Sequence, residues 1–281
     1  MLSLCPVAYP TGSAEKTGDI YDGWLRMYDL RFDDAHQIFA GWREAHPSDP
    51  LGPASDAAAY LFSELARLGA LQSELFVDDV RFAHRKKLTP DEDLKKHFLE
   101  MIAKADQQAD VLLQKSGADT DALFVKALVC GLRADYYVLV EKENLTALSY
   151  TKEGRPFSDK LLAIKPDAFD AYLGLEVENY LLSLKSAPVR VFLRLAGSRI
   201  DREKGLEQLR LTSERGHYFE PFAKLLLAVA ALRDNNPGKA REILANLHQR
   251  FPNNELYTTE LNRLQAPAER TVTPPTAGPK P

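Results

Sequence analysis

Glu214 and His217 stand three residues apart, a literal E-x-x-H. On a continuous helix that spacing places a carboxylate and an imidazole on one face, as the metal-binding helices of some four-helix bundles do. Gly216 lies between them, and glycine commonly ends a helix. There is no second copy of the motif, so the plainer reading is a helix terminus followed by a surface histidine. The 6 histidines are scattered, with no carboxylate at a spacing that would make one a general base. H-E-x-x-H, G-x-S-x-G and G-x-x-x-x-G-K are absent. The expectation is a chain with no catalytic residue, no metal and no cofactor.

Other polar and apolar clusters have plain alternatives too. Cys5 and Cys130 are the 2 cysteines, and neither has metal-ligand spacing. They read as unpaired thiols, Cys130 on an apolar helix face. Arg81, Arg85, Lys86 and Lys87 make the densest basic run, which could meet an acidic partner or a lipid headgroup. Asp91, Glu92 and Asp93 follow closely, so a solvated connector fits as well. Residues 189–195 (VRVFLRL) could lie on a membrane surface, or form a buried helix with one wet edge. Tyr136, Tyr137, Tyr172 and Tyr180 could line a groove, although aromatics at helical spacing usually serve packing.

The chain has 281 residues, enough for one large domain, two ordinary ones or a stack of helix pairs. Lys+Arg 36 against Asp+Glu 40 gives a formal net charge of −4, so there is no broad basic field to hold nucleic-acid phosphates. No apolar run reaches the length of about 18 residues that a transmembrane helix needs. The apolar opening MLSLCPVAYP lacks a positive n-region. It reads either as the remnant of an export signal or as the frayed tip of a cytoplasmic protein, which leaves the compartment open between cytoplasm and periplasm. Residues 266–281 are rich in proline and carry no core residue, the composition of a disordered tail.

Between these ends the apolar spacing is helical throughout, with no alternating strand pattern. About twelve helices are expected over residues 15–265. Ser55 and Thr89 are the expected caps of the third and fourth, and Gly154 with Pro156 suggests a break. Two segments align without a gap: FDDAHQIFAGWREAHPSDP (32–50) and PGKAREILANLHQRFPNNE (237–255). Ala35 falls on Ala240, Phe39 on Leu244, Trp42 on Leu247, Pro47 on Pro252 and Asp49 on Asn254. The small residue lets two helices approach closely, the large one fills the groove beside it, and the proline stops the helix.

That pattern resembles the second helix of a tetratricopeptide (TPR) unit. Leu173-Gly174 and Leu227-Ala228 look like the large-small pair of a first helix, and Gly154 and Gly205 occupy the small position in the middle of the chain. Asp170 and Lys224 depart from the pattern, standing where an aromatic is usual. Residues 164–264 are similar to a group of poorly characterised bacterial TPR-like proteins. The resemblance implies an all-α solenoid of stacked antiparallel helix pairs, no known catalysis and, for many members, export. It also implies a protein or peptide partner held on the concave face, with Glu178 and Asn179 as candidate contacts on a first helix. The alternatives are a helical enzyme whose site is assembled from distant residues, and a membrane-surface protein using residues 189–196.

If Ala240 faces a neighbouring helix, Ala240→Leu overpacks that contact and costs about 1–3 kcal/mol. Urea denaturation measures this; an unchanged midpoint would place Ala240 away from any neighbour.

Overall fold

The computed structural model describes residues 19–70, 89–173 and 201–265. Every regular element in them is helical. In chain order they are α1 (Ile20–Tyr28), α2 (Phe32–Ala45), α3 (Leu51–Arg67), α4 (Glu92–Lys115), α5 (Thr120–Tyr136), α6 (Asn144–Ile164), α7 (Arg202–Arg215), α8 (Glu220–Arg233), α9 (Pro237–Arg250) and α10 (Glu255–Gln265). A π-helical turn, Tyr137–Glu141, continues α5. Consecutive helices pack on one another from α1 to α6 and again from α7 to α10.

In α1 to α4 and α6 to α9 the amide of the residue just past the helix donates to the carbonyl four positions back. In α2, α4, α6, α7 and α9 that capping residue also turns out of the helical conformation, with ψ between 66° and 151°, whereas in α1, α3 and α8 its ψ stays between −7° and 14°. His46 N donates to Trp42 O, Ser116 N to Leu112 O, Lys165 N to Leu161 O, Gly216 N to Thr212 O and Phe251 N to Leu247 O, all at 2.7–2.9 Å. Counting back eleven positions from each of those capping residues gives Ala35, Ala105, Gly154, Gly205 and Ala240, all buried. Seven positions back stand Phe39, Ala109, Ser158, Leu209 and Leu244, also buried.

Helix packing explains the small set. At Gly154 an added Cβ would lie 2.8 Å from Cys130 Cβ on α5. Even an alanine there would force Cys130 to shift, so glycine is what this crossing accepts. Ala35 and Ala240 are both 0% exposed, as close packing there requires.

The first hairpin, α1–α2, and the last, α8–α9, match beyond this register. Leu30 (φ 59°) and Asn235 (φ 54°) take the same left-handed turn. Arg31 N and Asn236 N then reach back to Arg26 O (2.9 Å) and Ala231 O (2.8 Å), closing the orphan carbonyls of each helix end. Asp49 Oδ1 accepts from Leu51 N (2.9 Å), and Asn254 Oδ1 accepts from Leu256 N (3.1 Å). Each side chain thus satisfies a free amide at the start of the following helix.

These two hairpins also meet in space. Trp24 of α1 lies edge-on to Phe219 (ring centroids 5.3 Å) and beside Tyr218 (5.5 Å), at the start of α8. Tyr28 Oη donates to Tyr218 O (2.9 Å), and Asn254 Nδ2 donates to Tyr28 O (2.8 Å). Phe62 on α3 packs on Phe222 (5.7 Å), and Phe124 on α5 packs on Tyr218 (6.0 Å). A stack whose pairs only follow one another leaves its ends apart; here the ends share one hydrophobic core.

Three local expectations change. Ser55 does not cap α3: the helix begins at Leu51, and the buried Ser55 hydroxyl accepts from Trp24 Nε1 (2.9 Å). Pro53 is tolerated because it falls in the first turn, where no intrahelical amide bond is lost. Asp91, not Thr89, caps α4, accepting from Asp93 N and Leu94 N. There is no break at Gly154 and Pro156, since α6 runs through both; the glycine is there for the close approach to α5.

Trp24→Ala removes a fully buried ring that ties the first hairpin to the start of α8. The expected cost is about 3–5 kcal/mol, read as a lower denaturation midpoint with one cooperative transition retained.

Candidate functional site

The E-x-x-H pair is separated by the fold. Glu214 is exposed in the last turn of α7, while His217 lies past Gly216 in the turn to α8. The His217 ring stacks on Tyr21 (4.3 Å, interplanar 18°). Its amide, with those of Tyr218 and Phe219, converges on the Asp170 carboxylate at 2.9–3.1 Å. Phe219 offers no side-chain cap to α8. Asp170 therefore caps that helix from a distant part of the chain, and its negative charge suits the helix N-terminus. This explains the acid at a position where the TPR pattern prefers an aromatic. Gly216 is needed beside it, because a Cβ there would come within 2.8 Å of Asp170 Oδ1. Among the described residues no group of His, Cys, Asp or Glu is placed to hold a metal.

The tyrosines do not form one stripe. Tyr136 is buried and stacked on Phe98 of α4 (5.1 Å), with its hydroxyl on Glu141 Oε1 (3.2 Å). Burial, then the charge of Glu141, raises its pKa. Tyr137 stacks on Tyr150 (5.5 Å), and Tyr172 lies against Phe169 (6.4 Å). Cys130 is buried against α6, and burial pushes its thiol up to about 12, so it stays protonated and unreactive. Glu178, Asn179, Tyr180, Cys5, the basic run at 81–87 and residues 189–196 lie outside the described residues.

The carboxylates of Asp56 and Asp135 carry opposite meanings. Asp56, buried on α3, is held by His36 Nδ1 (2.5 Å) and Arg43 (3.1 Å), and the His36 ring lies over Tyr60 (4.1 Å). This is a compensated charge tying α2 to α3. Asp135 on α5 has no such compensation: it makes no hydrogen bond or ion pair with a described residue. It keeps some solvent contact, yet its carboxyl lies deep enough that burial pushes its pKa up to about 7. Eleven residues along a helix is three turns, so Asp135 shares a face with Phe124. Phe124 touches the Tyr218 and Phe219 rings. One face of α5 thus carries a ring packed against the start of α8 and, three turns on, a carboxyl that pairs with no described residue. Sequence spacing gave no sign of Asp135, since one acid on an apolar helix reads as its wet edge.

No protein-family model matches this chain, and no curated protein matches it. Among the described residues no helix is long and apolar enough to cross a membrane.

The raised pKa of Asp135 fixes the sign of a pH effect. Between about pH 4, where an unfolded aspartate ionises, and about pH 7 the folded state binds the extra proton. Stability from this group therefore falls as pH rises across that window. Asp135→Asn is expected to melt higher than the parent at pH 8 and to match it near pH 4. Equal melting differences at both pH values would contradict an unpaired buried carboxyl.

Proposed function

We propose that this chain is a TPR-like helical repeat protein, a non-catalytic module that binds another protein on its concave face. The observation that supports this most is the ending shared by α2, α4, α6, α7 and α9, a capping residue turned out of the helical conformation together with a small buried residue eleven positions before it. Helix hairpins repeated in one register stack into curved arrays, and such arrays present concave binding surfaces. In this reading α1, α3, α5 and α8 are first helices and line the inner side. The aromatic contacts among Trp24, Phe62, Phe124 and Phe222 fill one part of that side. The partner then engages the part lined by α5 beyond Phe124, where Asp135 supplies an uncompensated carboxyl. A lysine or arginine of the partner is the matching group, and its approach would hold Asp135 ionised.

The test uses the full chain as bait in extracts of its own cells, followed by chemical cross-linking and mass spectrometry. A protein retained by the parent, lost with Asp135→Lys and cross-linked to α5 is the expected result. Equal retention by both baits, cross-links confined to α2 and α9, or no retained protein would contradict the reading.

A further inference from the structure

We draw no further inference here: the strongest candidate, the open notch at Gly131 on α5, one turn before Asp135, belongs to the site already described, and nothing in the structure shows what covers it.

Discussion

Trp24 and Tyr28 leave α1 toward residues nearly two hundred positions further along the chain. The Trp24 ring lies 5.3 Å from Phe219 and 5.5 Å from Tyr218, and Tyr28 is held by hydrogen bonds at both its hydroxyl and its carbonyl. Both residues are buried. Aromatic faces of this size dominate the energetics of any core they enter, and edge-to-face contacts add to the burial. Much else follows from the contact. It covers the exposed end that a row of hairpins would otherwise present. It brings α10 against α1.

A second constraint repeats along the chain. Five helices bury an alanine or glycine at the same place relative to their C-terminal turn. The closest approach, at Gly154 against Cys130, shows how little room is left.

Two of the five copies were legible in the sequence because Pro47 and Pro252 mark their turns and a large residue, Phe39 or Leu244, follows the small one. Gly154 and Gly205 were legible as small positions. Ala105 was not: its turn is Ser116-Gly117-Ala118-Asp119, with no proline, and Ala109 stands where three of the other copies have Phe39, Leu209 and Leu244. Pro156 misled the reading of α6, since a proline within a helix usually signals its end. The joining of the two ends could not be read at all, because nothing local encodes a contact between Trp24 and Phe219. The polar features of the site were hidden for a related reason. Asp135 matters through what is missing around it among the described residues, and spacing along a chain carries no record of that. Asp170 was noticed only as a departure, and its role as a cap for α8 depends on a turn some fifty residues away.

The account stands on the first and last hairpins sharing a core. Nuclear Overhauser effects between assigned ring protons test this directly in solution. The Trp24 indole is expected to show strong cross-peaks to the Phe219 and Tyr218 rings, and Tyr28 to Phe251. Their absence in a fully folded, assigned sample, with the Trp24 resonances showing only contacts within residues 19–70, would mean that the ends stay apart and the closed arrangement is wrong.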